Sequence, residues 1–305
     1  MLTESSSIAP PPALFNVRGS GSALFPLPVP GAEVEHRLHD SQSAEERKRA
    51  LRPRVPPSET RPVTASPNGR ILQTEVIDGL HALLQDSYRL RYQVYCVERQ
   101  FLPAAEYPQG VEIDEFDPQS VHVGVTNLHG HLAGTARLIL PIGERLPTLE
   151  HCADVAVANR GLWASNARWV EASRLAVSRH YGAADRADGD RAHVFLTILK
   201  GLYQASKRLE ATHWIVSIER SLHRLLARAG FPFRQVGPAF DYMGIVAPYS
   251  LDLRELDGVI ESGQFPALSD FTVGLEPGHL PEALVHDPEV YSRGPAPTNQ
   301  LTCTS

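Results

Sequence analysis

Four acidic residues crowd into one short stretch of the chain, GVEIDEFD at residues 110–117, which we call the acid loop. In an extended segment successive side chains point to opposite sides, so Glu112 and Asp114 share one face and Glu115 takes the other. Asp117 joins the first face only if the chain turns in front of it. Like charges at this density repel one another. The acid loop therefore requires cations, either from elsewhere in the fold or from a ligand.

Three arginines are candidates for those cations. Arg91, Arg137 and Arg174 each lie in a segment otherwise apolar enough to be buried, the first in a helical pattern and the others in strand patterns. A buried guanidinium needs a partner, and its planar group can bind a carboxylate through two parallel hydrogen bonds. We therefore expect the acid loop to fold over the sheet and to neutralise these three arginines.

A further carboxylate, Glu171, lies three residues before Arg174. Counting it with Glu112, Asp114 and Asp117 against the three arginines leaves one carboxylate in excess. An amine ligand arriving as ammonium would be attracted by that charge, and it must lose a proton before it attacks a carbonyl. Because partial burial among charges raises a glutamate pKa, Glu171 is the candidate general base. The alternative interpretation is that Glu171 only holds Arg174 in place.

Composition bounds the class of protein. The chain has 305 residues, 42% of them hydrophobic, and a net charge of -6, which is typical of a folded protein with a sizeable core. No run of eighteen apolar residues predicts a membrane span, and the N-terminus lacks the pattern of a secretory signal. The segment after residue 70 carries more acidic than basic residues, which argues against nucleic acid as a partner.

Cysteine and histidine usage bears on redox compartment and metals. The three cysteines form no C-x-x-C pair, which is typical of a reducing compartment and predicts a cytoplasmic protein without a disulfide framework. The thirteen histidines lack cysteine or carboxylate partners at ligand spacing, so we predict no metal site.

Three regions differ in pattern along the chain. Residues 1–70 are rich in Pro and Ser with little periodicity, and we predict a disordered tail there. Residues 71–265 alternate strand and helix patterns and predict one folded domain. Residues 266–305 are expected to form a partly irregular C-terminal extension.

The folded region positions the charged residues on predicted strands and helices. Strand patterns occur in ILQTEVI, SVHVGVTN, LAGTARLILP, RWVEASRLAVS, THWIVSIE, FRQVGPAF and DYMGIVAP. Helical patterns occur in DGLHALLQDSYRLRYQVYCVER, DRAHVFLTILKGLYQASKRLE and RSLHRLLARAGF. This order predicts an α/β fold with a mixed, mostly antiparallel central sheet flanked by helices.

Four motifs in order carry a family resemblance. LRYQVYCVERQF, GVEIDEFD, GTARLILP and VEASRLAVS resemble the acyl-homoserine-lactone synthases and the N-acyl amino acid synthases, two branches of the GNAT acyltransferase superfamily. Within that group, RYQVYCVER and DYMGIVAPY are most similar to the acyltransferases associated with PEP-CTERM/exosortase systems. The resemblance covers roughly residues 90–249 and implies a GNAT fold.

The resemblance also implies roles for individual residues. Phe101 stands where lactone synthases have a Trp, with one extra residue in the spacing, and this departure counts against a lactone product. Glu171 and Arg174 match an E-x-S-R pair, with Glu171 as the catalytic residue. The implied substrate-binding residues are Arg91, Tyr95, Phe101, Glu112, Asp114, Asp117, Arg137 and Arg174.

The implied acyl donor is a phosphopantetheine thioester, acyl carrier protein or coenzyme A, with no permanently bound cofactor. The resemblance places the pantetheine arm along the backbone of Leu175, Ala176 and Val177. The phosphate loop of such proteins is matched only formally by RHYGAA, which begins at Arg179. Nearby aspartates offset its positive charge, so this loop suits one phosphate better than the several phosphates of coenzyme A.

A basic ridge offers a place for an acidic carrier protein. Arg220, Arg224 and Arg228 recur every four residues on one predicted helix and so share a face. A solvated helix face without a partner is the alternative.

Together these observations predict a GNAT-fold N-acyltransferase that moves a fatty acyl group to the amine of an amino-acid-like acceptor. The first alternative is a lactone-forming signal synthase that uses S-adenosylmethionine. The second is a non-catalytic GNAT fold that serves as a binding module.

Overall fold

The computed structural model describes residues 63–65, 71–142, 145–152, 167–179, 188–242 and 244–281, all within one unit of the chain, residues 47–305. The strands are β1 Val63–Ala65, β2 Ile71–Val76, β3 Ser120–Asn127, β4 Leu132–Ile139, β5 Trp169–Val177, β6 His213–Ile218, β7 Arg234–Gln235, β8 Phe240–Asp241 and β9 Ile245–Asp252. The helices are α1 His81–Tyr92, α2 Pro147–His151, α3 Asp188–Arg208, α4 Arg220–Arg228 and α5 Leu253–Glu261.

One open sheet organises these elements. Its strand order is β1-β2-β3-β4-β5-β6-β9-β7, with β8 paired to β9. The pair β5–β6 is parallel and the other pairs are antiparallel. Helix α3 lies in the connection between the two parallel strands, because parallel neighbours need a long crossover, usually through a helix. The predicted mixed, mostly antiparallel sheet flanked by helices is thereby confirmed.

The main hydrophobic core lies between the sheet and helices α3, α4 and α5. Alternate residues of β3 face α3, because side chains of a strand alternate between its two faces. Helix α3 comes very close to the sheet at Gly201, where an added Cβ would overlap the side chains of Thr74 and Val123. The buried residues of this contact are Val121, Val123, Val125, Val194, Ile198 and Leu202.

The opposite face of the sheet carries α1, α2 and a smaller apolar cluster. Phe116, Ile139, Leu146, Trp169 and Ile215 are buried there. By strand alternation the residues two positions from Ile139, Trp169 and Ile215 point to the same side. Those residues are Arg137, Glu171 and Ser217, so this face is where polar side chains are collected.

Strand β5 has two irregularities near the charged residues, a β-bulge and a separation from β6. Arg137 pairs with Ser173 and Thr135 with Ala176, so β5 contains one more residue than β4 between these pairs. Arg174 occupies this β-bulge with a φ of 52°, a left-handed conformation that is uncommon outside glycine. Farther along, β5 pairs with β6 only over Trp169–Glu171, and the two strands then separate.

The N-terminal boundary of the sheet differs from the predicted boundary at residue 71. Strand β1 lies inside the predicted tail and pairs with β2, Val63 opposite Gln73. The β-branched residues Val63 and Thr64 suit an edge strand, which supplies hydrogen-bond partners to the backbone of β2. The sheet therefore begins before residue 71.

The hydrophobic core also includes residues beyond 265, the predicted end of the folded domain. Residues 266–281 consist of turns and short 3-10 segments, yet Leu268, Phe271 and Leu275 are buried in the main core. Gln204 of α3 donates hydrogen bonds of 2.9 Å to the carbonyls of Phe271 and Val273. Irregular backbone does not exclude core packing when side chains satisfy its polar groups.

Helical structure differs from the sequence prediction in three places, one of which is the short helix α2, Pro147–His151. The long first helix becomes π-helical over Gln93–Glu98, directly after α1. Helix α5 was not predicted; its N-terminus is capped by Asp252, whose side chain accepts a hydrogen bond from the amide of Arg254. Within the described ranges, no helix is long and apolar enough to cross a bilayer.

Candidate active site

The acid loop turns so that its carboxylates converge. Asp117 begins a short 3-10 turn, and its amide donates to the carbonyl of Asp114. The side chain of Asp117 accepts from the amide of Asp114 at 2.7 Å, and Asp114 accepts from the amide of Phe116 at 2.9 Å. Phe116 is buried beneath the turn, whereas Glu115 points outward to the exposed Arg145. The chain therefore turns in front of Asp117, as is required for Asp117 to lie on the same side as Asp114.

Arg91, in the last turn of α1, binds two of these acids. Its Nε donates to Oε2 of Glu112 at 2.5 Å, and its two terminal nitrogens donate to the two oxygens of Asp117 at 2.6 and 3.0 Å. The three side chains are at most 3% exposed. The fork of the guanidinium fits a carboxylate, which makes this pair two-pronged.

Arg137 and Arg174 close the network from the sheet. Arg137 binds both oxygens of Asp114 at 2.6 Å, one oxygen of Asp117 at 2.8 Å and the Ser173 hydroxyl at 3.0 Å. Arg174, aimed by the β-bulge, donates to Glu112 at 3.1 Å and to Asp114 at 2.9 Å. The prediction that the acid loop neutralises all three arginines is confirmed.

His122 adds a fourth cation that was not predicted. Its Nε2 lies 2.9 Å from Asp117 and its Nδ1 lies 2.7 Å from Asp78. Burial lowers the pKa of His122, but the two carboxylates outweigh this effect and raise it. An imidazole between two carboxylates donates from both nitrogens only when it is charged. Three guanidinium groups and one imidazolium then balance Glu112, Asp114, Asp117 and Asp78.

The network keeps its acids ionised. Burial alone would raise the pKa of Asp117, but the hydrogen bond from His122 and the charges of Arg137 and Arg91 hold it well below the usual range. Arg137 and Arg174 likewise lower the pKa of Asp114 against its burial. Fixed, paired charges of this kind order the loop and are poor proton acceptors.

Glu171 lies apart from this network. One carboxylate oxygen accepts from the amide of Thr148 at 2.9 Å, and the other from the Thr148 hydroxyl at 3.0 Å. Arg174 instead bonds Glu112 and Asp114, so the interpretation that Glu171 serves to hold Arg174 is wrong. Burial raises the pKa of Glu171 to about 7, against the smaller opposing effect of the bonds from Thr148. A carboxyl with this pKa exchanges its proton near neutral pH.

Glu171 also marks the place where strands β5 and β6 separate. It is opposite Ile215 in the last pair of their ladder. Beyond it, Ala172–Val177 pair with β4 on one edge only in the described sheet. The residues predicted to run beside a pantetheine arm, Leu175, Ala176 and Val177, follow this fork. A buried carboxyl therefore lies at the inner end of an opening between two strands.

Tyr95 contacts β5, and Phe101 lies beside Tyr95. The hydroxyl of Tyr95 donates to the carbonyl of Leu175 at 3.0 Å, which satisfies a backbone group at the bulge. The Arg174 guanidinium lies over the Tyr95 ring, 5.5 Å from its centroid, and the Phe101 ring lies 6.3 Å from Tyr95. The π-helical segment thus brings Tyr95 onto the bulge that positions Arg174.

Two sets of basic residues predicted to meet the acyl donor lie outside the charge network. Arg179 follows β5 and is paired with Glu98 at 2.6 Å. The rest of the predicted phosphate loop, residues 180–184, lies outside the described residues. Arg220, Arg224 and Arg228 are exposed on α4, and the described part of the chain provides no ion pair for them.

Sequence reasoning missed four residues around the site. His122 and Ser217 lie within strand patterns, and Thr148 lies in a short helix that no pattern predicted. Burial raises the pKa of Tyr242 against the opposing effect of the nearby Arg174, and the Tyr242 ring packs 4.2 Å from that of His151. Only the strand pattern of β3 contained a signal: His122 lies directly opposite Arg137 in the β3–β4 pair, so both side chains point to the same face of the sheet.

Part of the chain is similar in sequence to known proteins. Residues 90–188 match the model of the acetyltransferase (GNAT) domain. A probable acyl-homoserine-lactone synthase of Sinorhizobium fredii (strain NBRC 101917 / NGR234) is 24% identical over 177 residues, which are 58% of this chain and 77% of that protein.

Two solved structures are similar at lower identity. The coenzyme-A-dependent acyl-homoserine lactone synthase BjaI is 16% identical with a TM-score of 0.48, and the match covers 67% of this chain and 100% of that one. FeeM, an N-acyl amino acid synthase from uncultured soil microbes, is 16% identical with a TM-score of 0.47, over 65% of this chain and 100% of that one. The match to the GNAT domain over residues 90–188 supports an acyltransferase, and the mixed sheet has a GNAT-like fold.

Proposed function

We propose that the protein transfers a fatty acyl group from a phosphopantetheine thioester to the amine of an amino-acid-like acceptor. The observation that carries this proposal is Glu171, a buried carboxyl with a pKa of about 7 at the fork between β5 and β6. The amine reaches the site as ammonium and must lose one proton before its nitrogen attacks the thioester carbonyl. Glu171 accepts that proton, and the carbon–sulfur bond then breaks to release the thiol.

The edge of the charge network supports an acceptor that carries both signs of charge. Asp114 is 20% exposed and Arg174 is 9% exposed, whereas Glu112 is fully buried. One carboxylate and one guanidinium, bonded to each other at 2.9 Å, therefore keep partial contact with solvent. An amino acid carries an ammonium and a carboxylate, which match these two groups.

The acyl donor binds, in this proposal, along Leu175, Ala176 and Val177 beyond the fork. An acyl carrier protein is favoured over coenzyme A as the carrier of the thioester. Arg179 is already paired with Glu98, which weakens it as a partner for several phosphates. The exposed arginine ridge of α4 is the proposed docking surface for the acidic carrier, since complementary charge speeds and orients encounter.

A second candidate function is a lactone-forming signal synthase. The observation in its favour is the 24% identity to a probable acyl-homoserine-lactone synthase. Phe101 at a position where a Trp is expected weighs against it. Such an enzyme would consume S-adenosylmethionine and release methylthioadenosine, whereas the first proposal releases only the thiol. A non-catalytic binding module is a weaker candidate, because a purely structural site does not require Glu171 to have a pKa of about 7.

The proposal extends to the biological setting. RYQVYCVER and DYMGIVAPY support a place among the acyltransferases associated with PEP-CTERM/exosortase systems. Cys96 and Cys152 are both free and buried, which supports a reducing, cytoplasmic location.

Mass spectrometry of reaction products tests the proposed function. The purified protein is incubated with acyl carrier protein or coenzyme A thioesters and a panel of amino acids, and separately with S-adenosylmethionine. We expect an N-acyl amino acid that is absent with Glu171→Gln. A lactone with methylthioadenosine would establish the second candidate. No acylated product from any donor and acceptor pair would favour the binding module.

A further inference from the structure

A line of hydrogen bonds leads away from Glu171. Its Oε1 lies 3.0 Å from the hydroxyl of Thr148, and that hydroxyl lies 2.7 Å from the hydroxyl of Ser217. The second oxygen of Glu171 is occupied by the Thr148 amide at 2.9 Å. Both carboxylate oxygens are therefore engaged by Thr148, and among the described residues only the Thr148 hydroxyl connects Glu171 to a further exchangeable group.

Burial changes along this line. Glu171 is 3% exposed and Thr148 is 1% exposed, so neither meets bulk water readily. Ser217 is half-buried and lies in β6, two residues beyond Ile215, the last residue of β6 that pairs with β5. The hydroxyl of Ser217 is therefore the outer end of the line, at the opening between the two strands.

Counting protons gives the line a direction. Each hydroxyl has one hydrogen to donate and can accept through its lone pairs. When Glu171 is ionised it has no hydrogen, so Thr148 must donate to Glu171. Ser217 must then donate to Thr148, so the lone pairs of Ser217 are not used within the line. In its basic form the line is therefore arranged to accept a proton at Ser217.

We propose that Ser217 and Thr148 relay the proton of the acceptor ammonium to Glu171, an inference that rests on the proposed function. The ammonium gives a proton to the Ser217 oxygen as Ser217 passes its own to Thr148 and Thr148 passes its own to Glu171. The acceptor loses one proton and Glu171 gains one. Once the nitrogen has bonded to the carbonyl carbon it carries a second surplus proton. That proton passes to the departing thiolate as the carbon–sulfur bond breaks, and Glu171 then returns the first proton to solvent by the same path. Ser217 is the contact residue of the relay, and Thr148 both relays and positions Glu171.

A merely structural role for these hydroxyls makes a different prediction. If Thr148 only orients Glu171, then Ser217, which does not bond to Glu171, has no effect on proton transfer. Ser217→Ala removes the outer hydroxyl with little change of volume, and Ser217→Thr retains it. Ser221→Ala is the matched control, since Ser221 is exposed and bonds only Glu219 among the described residues.

Steady-state kinetics with an acyl thioester and the accepted amine form the first test. We expect Ser217→Ala to lower kcat about 10- to 100-fold, a loss typical of impaired proton transfer, with the KM for the acyl donor unchanged. Ser217→Thr should recover most of the rate, and Ser221→Ala should match the wild type. A Ser217→Ala enzyme with a kcat within twofold of the wild type and the same pH profile would overturn the relay.

Infrared spectroscopy provides a second test that needs no acyl transfer. After transfer into D2O near pH 6, the band of the protonated Glu171 carboxyl is assigned by its loss in Glu171→Gln. Its shift upon deuteration reports proton exchange. The relay predicts slower exchange in Ser217→Ala than in the wild type and Ser221→Ala, and equal rates would contradict it. Slowed exchange without any acylated product from the wild type would reject the proposed function while retaining the path.

Discussion

Arg137 and Asp114 form a two-pronged ion pair that joins the central sheet to the acid loop, with both nitrogen–oxygen distances at 2.6 Å. Arg137 is 1% exposed and makes a further bond to Asp117. One strand residue thus fixes two acids of a segment that has no regular structure of its own around Asp114. The loop owes its shape to charge pairing rather than to apolar packing alone.

The first prediction follows from this pair. Arg137→Ala removes one partner and strands Asp114 and Asp117 in a buried site, so we expect a loss of about 3–5 kcal/mol in the free energy of unfolding. Urea denaturation followed by circular dichroism measures the loss. Arg145→Ala is the matched control, because Arg145 pairs with Glu115 and Glu150 but is 61% exposed. It should cost far less, because solvent screens an exposed ion pair. Equal losses in both variants would show that burial of the network does not matter.

The second prediction concerns pH and the stability contributed by Glu171. Its pKa is about 7 in the folded protein and near 4.5 in the unfolded chain. Between these values the folded state keeps a proton that the unfolded state has released. The contribution of Glu171 to the free energy of unfolding therefore falls as pH rises from about 4.5 to about 7, by up to about 3 kcal/mol.

Glu171→Gln removes this dependence without removing the acceptor oxygen for the Thr148 amide. Denaturation of the wild type and the variant across pH 4–8 isolates the contribution as their difference, since other titrating groups cancel. As pH rises, the variant should become more stable relative to the wild type. A constant difference across this range would mean that Glu171 titrates at its ordinary pKa.

The third prediction concerns the bulge in β5. Tyr95→Phe leaves the Leu175 carbonyl without its 3.0 Å donor at the place where the acyl donor is proposed to lie. We expect a loss of about 1–3 kcal/mol in stability. The KM for the acyl thioester should rise severalfold, with a smaller change in kcat. Tyr92→Phe, three residues earlier on α1, is the control and should leave KM unchanged. An unaltered KM in Tyr95→Phe would show that the bulge has no part in donor binding.

The fourth prediction concerns the arginine ridge of α4. Changing Arg220 and Arg228 to Glu should lower kcat/KM with an acyl carrier protein about 10-fold and weaken its salt dependence. Transfer from a small acyl-pantetheine thioester, which needs no docking surface, should change less than twofold. Reversal of Arg89 and Arg254, exposed on α1 and α5, is the matched control. Equal losses with both donors would show that the ridge is structural, and full activity with coenzyme A thioesters would identify coenzyme A as the donor.

The sequence predicted the sheet and the charge pairing for physical reasons that can be named. Period-two apolar patterns identified β3, β4, β5 and β6, since half-buried strands alternate in polarity. Arginines inside apolar segments predicted buried ion pairs, because an unpaired buried guanidinium is too costly. That cost depends on residue type and local pattern alone, so no tertiary information was needed.

Other parts of the site depend on long-range contacts that no local pattern reveals. Thr148 meets Glu171 across 23 residues of sequence and Ser217 across 69. The β-bulge that aims Arg174 arises from the register with β4, which the sequence of β5 does not display. Leu268 and Phe271 look like loop residues because their segment lacks periodicity, yet they complete the core beside α3. These features follow from how elements pack, not from their own propensities.

The pH dependence of the single-turnover rate of amide formation tests the central claim most directly, that Glu171 is the base of an acyl transfer to an amine. It is measured with a saturating acyl thioester and acceptor, for the wild type and for folded Glu171→Gln. For the wild type we expect the rate to rise about tenfold per pH unit below pH 7 and to level above it, as a base with a pKa of about 7 requires. Glu171→Gln should be slower by about 100- to 10,000-fold, without that pH dependence. A variant as fast as the wild type, with the same pH profile, would contradict the assignment of Glu171 as the base.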